Sequence, residues 1–376
     1  MKIALVGTRG VPANYGGFET CAEEIGIGLA VRGHEVVAYC RPGNADGNPA
    51  SYEGVRLVYR PFIDKKSLGT LSHTFASMVH AVRQDFDVIM LFNAGNSPSC
   101  ILPRLWRVPV AINVDGLEWK RAKWGPIARR YYQIAEWLSC RLAHRVVSDS
   151  KAIQAYYEER YREQSSFIAY GGRVETSVRP EVLLEYGLET NEYFFIASRL
   201  EPENHADLTV EAFSRVRTDQ KLVIAGGANW ASPYVERIKA TKDPRVVFLG
   251  PVYTPGHIRE LHCNAYAYVH GNEVGGTNPA LLKALGYGNC VLALDVPFNA
   301  EVLADGKAGV LYAMDVDDLA VKMQQLVDNP DEVERFRARG PARILEAYQW
   351  DAVTADYERL LERVASGYYR TSRQSD

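Results

Sequence analysis

Short, unbroken apolar runs recur along the chain, each followed by a longer stretch of helical patterning. Residues 3–6 open the series, and "EVVAYC" (35–40), "DVIMLF" (87–92), "PVAINV" (109–114) and "HRVVSDS" (144–150) continue it through the first half. The second half repeats the grammar with "YFFIAS" (193–198), "KLVIAGG" (221–227), "RVVFLG" (245–250), "AYAYVHG" (265–271) and "CVLALD" (290–295). Runs this short, without alternation, predict strands covered on both faces, as in parallel sheets. Separation by helices of about ten or more residues predicts βαβ units, and two such series predict two Rossmann-like domains. The join is expected near 170–190, where glycines, a proline and charge interrupt the pattern. From residue 331 to about 365 the pattern is helical, and Trp350, Val353, Tyr357, Leu360 and Leu361 make one apolar stripe. The tail "GYYRTSRQSD" has little to pack and is expected to be disordered.

Length supports this division, because 376 residues exceed what one core usually organises. A cleft between two domains is then the default binding site. A formal net charge of −3 argues against a general nucleic-acid binder. Six scattered cysteines without a C-x-x-C pair fit reduced thiols in a cytoplasmic protein better than disulfides or a zinc site. The opening "MKIALVG" is too short an apolar run for a signal peptide, and no stretch approaches the roughly 18 apolar residues of a membrane span.

Two segments carry candidate chemistry. "GTRGVPANYGGFET" follows the first strand, but its glycines lack the G-x-G-x-x-G spacing of a dinucleotide loop. It reads as a ligand loop of another kind, or as a plain strand–turn–helix connection. In "HGNEVGGTNPALLKAL" (270–285), Gly275 and Gly276 precede the candidate caps Thr277 and Asn278, with Pro279 at the first helical position. Small residues admit a ligand to the backbone, and a capped helix start attracts an anion. A tight turn with no ligand is the alternative.

Taken in order, "GTRGVPANYGGFET", "RGHEVVAYCR", "INVDGLEWKRAKW", "SDSKAIQAYY", "IAYGG", "SRLEPENH", "GGTNPALLKAL" and "FNAEVL" span residues 7 to 303. Through them the whole chain resembles a GT-B glycosyltransferase of the large family four, in the bacterial polysaccharide branch that includes rhamnosyltransferases. The resemblance implies an α/β fold with two Rossmann-like domains facing a central cleft and a C-terminal helix returning to the first domain. Its boundaries are expected at 1–175, 176–345 and 346–376. It implies transfer of a sugar, with retention of configuration, from a dTDP- or UDP-sugar to a saccharide or lipid-linked acceptor in surface polysaccharide assembly. No cofactor and no essential metal are expected, and neither is a nucleic-acid partner.

The resemblance also assigns residues. Gly16 and Gly17 match a loop near the donor phosphates. Arg199 matches a cation for the departing diphosphate, and Asn204 stands where a lysine is common. A salt bridge to Glu201 or Glu203 is the alternative for Arg199. Gly275 and Lys283 fall where the wider family carries two glutamates, so Lys283 either meets a phosphate or is a solvated helix residue. Glu301, read as starting a helix, is then the carboxylate for ribose hydroxyls, or a first-turn residue that complements the helix dipole. Glu273 either leans toward the sugar or is a solvated loop carboxylate. Asp115 and Glu118, in "NVDGLEWKRAKW", are expected on the acceptor side, with Asp115 orienting or deprotonating the acceptor hydroxyl; an ordinary Asp-Gly turn is the alternative. Residues 119–145 mix Trp, Tyr and basic residues, which suits either an anionic membrane face or packing on the first sheet. The expected location is the cytoplasm, at the inner face of the membrane if that contact forms. Two rival readings stand beside this one: a degenerate nucleotide-sugar-binding protein without turnover, and a GT-B sugar-nucleotide epimerase.

Overall fold

The continuous apolar runs do become buried parallel strands. The structure, a computed structural model, describes residues 1–14, 16–65, 68–227 and 232–367. The chain divides into two units: Met1–Gly171 together with the segment from Trp350 onward, and Gly172–Gln349.

Unit one is built on β1 (Lys2–Val6), β2 (Glu35–Cys40), β3 (Ser51–Tyr52), β4 (Val55–Tyr59), β5 (Val88–Phe92), β6 (Val110–Asn113), β7 (Arg145–Ser148) and β8 (Ser166–Phe167). The order is β3-β4-β2-β1-β5-β6-β7-β8, and β3–β4 is its antiparallel pair. Helices α1 (Gly17–Val31), α2 (Gly69–Ala81), α3 (Ile101–Trp106), α4 (Pro126–Leu142) and α5 (Lys151–Tyr161) connect the strands. All five residues of β5 are buried, as expected where helices cover both faces. Val6, Tyr39, Met78, Ile89, Ile112 and Val146 lie in one core cluster.

Unit two is wholly parallel, in the order β11-β10-β9-β12-β13-β14. Its strands are β9 (Tyr193–Ala197), β10 (Lys221–Ala225), β11 (Val246–Gly250), β12 (Ala267–His270), β13 (Val291–Leu294) and β14 (Val310–Tyr312). Its helices are α6 (Ala206–Ser214), α7 (Pro233–Lys239), α8 (His257–Cys263), α9 (Pro279–Gly286), α10 (Pro297–Val302), α11 (Val316–Asp328) and α12 (Pro330–Ala347). Phe194, Ile224, Val269, Leu292 and Tyr312 share its core.

The predicted C-terminal helix, α13 (Trp350–Ala365), packs on α1 of unit one. Tyr357, fully buried, accepts a hydrogen bond from Asn113 Nδ2 at 2.8 Å. A Cβ on Gly28 would lie 2.7 Å from Thr354, so α1 and α13 touch closely only because that position has no side chain. At the rim, Arg32 meets Asp351 and Glu358, and His34 meets Glu358 at 2.7 Å. The single helical stretch expected over 331–365 is two helices. The Gly172 amide donates to Tyr348 O at 2.7 Å, and the Trp350 ring fills the space beside Gly171, so the chain bends between α12 and α13. The last residues, 368–376, lie outside the described residues.

Candidate functional site

The carboxyl ends of β9, β12 and β13, neighbours at the middle of unit two's sheet, carry loops tied to one another. The Glu273 amide donates to Glu203 O at 3.0 Å, and Asn299 Nδ2 donates to both Asn272 O and Leu294 O, at 3.1 and 2.9 Å. Backbone packs against backbone there. A Cβ on Gly271 would sit 2.4 Å from Asn204 O, and one on Gly226 would sit 1.8 Å from Ser198 O. Such crowding fixes where the loop after β9 presents Arg199.

Arg199 is exposed, and no carboxylate pairs with it among the described residues, so the salt bridge to Glu201 or Glu203 does not form. Asn204 is buried and donates its amide to Arg199 O at 2.7 Å. It therefore braces the arginine's backbone with one of its two amide hydrogens. His205 follows at φ +49, in the left-handed region, with Nε2 3.1 Å from Glu273 Oε2. That contact joins two loops 68 residues apart and gives Glu273 a partner.

The helix start after β12 has the predicted form. Asn278 caps α9 by accepting from the Ala280 amide at 2.9 Å, and Pro279 takes the first helical position. Gly275 has φ +156 with open space where a Cβ would be, Gly276 is buried, and Thr277 is 3% exposed beside the cap. Behind them His270 is buried with no hydrogen-bond partner on either ring nitrogen among the described residues. Burial pushes its pKa down to about 3, so the imidazole is neutral. Lys283 is exposed on α9. Glu301 lies in the last turn of α10, because Pro297 begins the helix earlier than expected, so it does not complement a helix N-terminus.

In unit one the glycine loop is held by its own helix. The amide of Arg9 donates to Glu19 Oε1 at 2.9 Å, and that of Ala13 donates to Glu23. Gly7 (φ +103) and Gly10 (φ +138) adopt conformations closed to other residues, with Phe92 O and Cys40 packed where a Cβ would stand. Gly16 is the cap of α1 and Gly17 its first residue, where amides have no intrahelical acceptor.

Asp115 stands two residues beyond β6 at φ +50, its amide donating to Asn113 Oδ1 at 3.0 Å. Burial raises the pKa of its carboxyl, against hydrogen bonding with Asp149 and the charge of Arg121. Tyr170, buried beside these carboxyls, has no partner for its hydroxyl among the described residues. Glu118 is engaged: Arg121 Nε lies at 2.6 Å, Lys123 Nζ at 3.0 Å, and Trp124 Nε1 donates at 3.2 Å. Burial opposes its ionisation, but the two cations prevail and hold its pKa below the usual range. Its carboxylate shapes the loop carrying Asp115.

Sequence reasoning missed the His205–Glu273 contact, Asp149 and Tyr170. Asp149 had one signal, a carboxylate between two serines at the end of a predicted strand. Among the described residues no group of His, Cys, Asp and Glu is arranged to hold a metal ion.

Residues 179–343 match the family model described as glycosyl transferases group 1, and residues 16–171 match the glycosyl transferase 4-like domain. A curated relative, alpha-maltose-1-phosphate synthase of Mycobacterium tuberculosis, is 27% identical over 183 residues, covering 45% of this chain and 47% of that protein. The chain thus spans about half the length of the curated relatives it matches. Among solved structures, Anabaena HepE in complex with UDP aligns with a TM-score of 0.77 at 17% identity, covering 96% of this chain and 100% of that one. Sucrose-phosphate synthase from Thermosynechococcus elongatus aligns with a TM-score of 0.80 at 17% identity, covering 97% and 99%. These alignments identify the fold as GT-B.

Proposed function

Because a glycosyl transferase 4-like domain is followed here by a glycosyl transferases group 1 domain, the chain belongs to the GT-B glycosyltransferases, and we propose that it transfers a sugar from a nucleotide diphosphate sugar to a saccharide acceptor. The observation that carries the reading is the pairing, after adjacent strands of one sheet, of a capped helix start with an exposed arginine that has no carboxylate partner among the described residues. Both attract a diphosphate, and the open backbone at Gly275 admits it. HepE has been solved with UDP and with UDP-glucose, which favours a nucleotide-sugar donor here as well.

In this reading Arg199 stabilises the leaving diphosphate, while residues 275–278 hold it and Asn204 braces the arginine. Glu301 meets the ribose and Lys283 a phosphate. Asp115 orients the acceptor hydroxyl, on a loop that Glu118 shapes, and Gly16 and Gly17 supply first-turn amides to an anion. Holding the reactants together and stabilising the diphosphate supply most of the rate, and the leaving phosphate takes the acceptor proton. We extend the reading to retention of configuration without an essential metal, to a rhamnosyl or related donor, and to a surface polysaccharide or lipid-linked acceptor at the cytoplasmic side of a membrane.

The test is a screen of UDP- and dTDP-sugars for thermal stabilisation and donor hydrolysis, with native protein, Arg199→Ala and Lys283→Glu. Native protein should be stabilised by one donor and hydrolyse it, and chelator should leave turnover unchanged. Arg199→Ala should fold normally and lose at least about a hundredfold in turnover. Lys283→Glu should weaken donor binding by about 1 to 3 kcal/mol if the lysine meets a phosphate. Donor binding with no turnover, and turnover created by Lys283→Glu, would establish a degenerate binding protein instead.

A further inference from the structure

Helix α4 turns large apolar side chains toward solvent. Ile127 is 89% exposed, Ile134 46% and Trp137 47%. With the exposed Arg130 and Arg141 they follow one another at spacings of three and four residues, which is a single line along the helix. The opposite face is the packed one: Ala135, Glu136, Ser139 and Cys140 are buried. Tyr131 and Tyr132 turn partly inward, the former donating its hydroxyl to Gly95 O at 2.7 Å and the latter packing on Trp124. The basic–aromatic stretch thus packs one face of α4 on unit one and leaves the other to solvent.

The charge on the solvent side is of one sign. The acidic residue of α4, Glu136, points inward, accepting hydrogen bonds from the hydroxyls of Tyr156 and Tyr161 at 2.9 and 2.8 Å. The guanidinium of Arg141 lies 5.9 Å from the Trp137 ring centroid. Helix α3 extends the surface with exposed Leu105 and Trp106, and its Arg104 donates to Leu142 O at the end of α4. Within residues 101–145 there are nine Lys and Arg against three Asp and Glu, in a chain whose formal net charge is −3.

We propose that the outer faces of α3 and α4 are a docking surface for an anionic lipid bilayer. Ile127, Ile134 and Trp137 would enter the acyl–headgroup boundary while Arg130 and Arg141 meet lipid phosphates from the same line. A second copy of the chain is a poorer occupant, because a symmetric pairing brings the arginines against each other. A polyanion such as nucleic acid uses the arginines but leaves an almost fully exposed isoleucine with nothing to bury it. The inference does not depend on the sugar-transfer reading.

Flotation of the full chain with phosphatidylcholine vesicles, with and without about a third phosphatidylglycerol, tests it. Binding should require the anionic lipid and fall on raising the salt to about 0.5 M. The pair Ile134→Ser and Trp137→Ser, and separately Arg130→Glu with Arg141→Glu, should each weaken partitioning at least about tenfold while thermal unfolding stays unchanged. Brominated lipids should quench the fluorescence that Trp137→Phe removes. No flotation at low salt, or flotation indifferent to both pairs, overturns the proposal. A concentration-dependent dimer in light scattering that either pair abolishes overturns it too, in favour of self-association.

Discussion

Asp115 answers two opposed requirements. Its left-handed backbone favours Asp, Asn or Gly, and burial disfavours the charge that a proton-handling carboxylate must carry. A group whose folded pKa is raised stabilises the fold when protonated and loses that contribution as pH rises through the folded value. Asp115→Asn keeps the backbone preference and removes the buried charge. The variant should therefore match or exceed the native melting temperature at pH 8, and its advantage should shrink as the pH is lowered toward 4. If Asp115 serves the acceptor, turnover should fall about a hundredfold or more with donor affinity intact. Thermal unfolding across that range, alongside transfer assays, checks both; a variant less stable at pH 8 than at pH 4, relative to native protein, would show that burial does not govern this carboxyl.

Elements explain which parts of the site could be read from sequence. Helix α13 reaches Asp115 through a chain of hydrogen bonds, with Tyr357 accepting from Asn113 and Asn113 accepting from the Asp115 amide. Tyr357→Phe leaves a buried Asn donor without its acceptor, at a cost of about 1 to 3 kcal/mol. The melting temperature of unit one should drop by roughly 2 to 12 °C, and transfer should suffer more than donor binding. Equal losses in both would place Tyr357 in general stability alone. The central strands were legible because burial on both faces leaves a continuous apolar run, as in β5 and β9. Edge strands β3, β8 and β14 were not, being two or three residues long. The break between α12 and α13 was hidden because its cause, Gly171 and Gly172, lies far away in sequence. The capped start of α9 was legible because its signals are consecutive residues. His205 and Glu273 were not, since nothing local marks side chains that meet across two loops.

At the scale of the molecule the two units differ in how the chain builds them. Unit two is one continuous segment, Gly172–Gln349, with its own core and its own candidate donor site. Expressed alone, residues 172–349 should unfold in one cooperative transition and keep measurable nucleotide-sugar binding, as heating with and without donor would reveal. A fragment that melts without cooperativity would show that its core is insufficient by itself. Unit one is discontinuous, and residues 1–171 alone should expose the α1 face around Gly28 and bind a hydrophobic dye that the full chain excludes.

That interruption also has a consequence in time. During synthesis the segment forming unit two emerges between the first 171 residues and the helix that covers α1, which at about 5 to 20 residues per second is a wait of roughly ten to thirty-five seconds. Tyr357 cannot reach Asn113 in that interval, so the nascent unit carries an uncovered, largely apolar α1 face in a crowded cell. All of unit two is synthesised before α13, so the first half to be made is the last to be completed. Emergence of α13, and any chaperone that holds the α1 surface until then, thus becomes part of how this molecule reaches its working form.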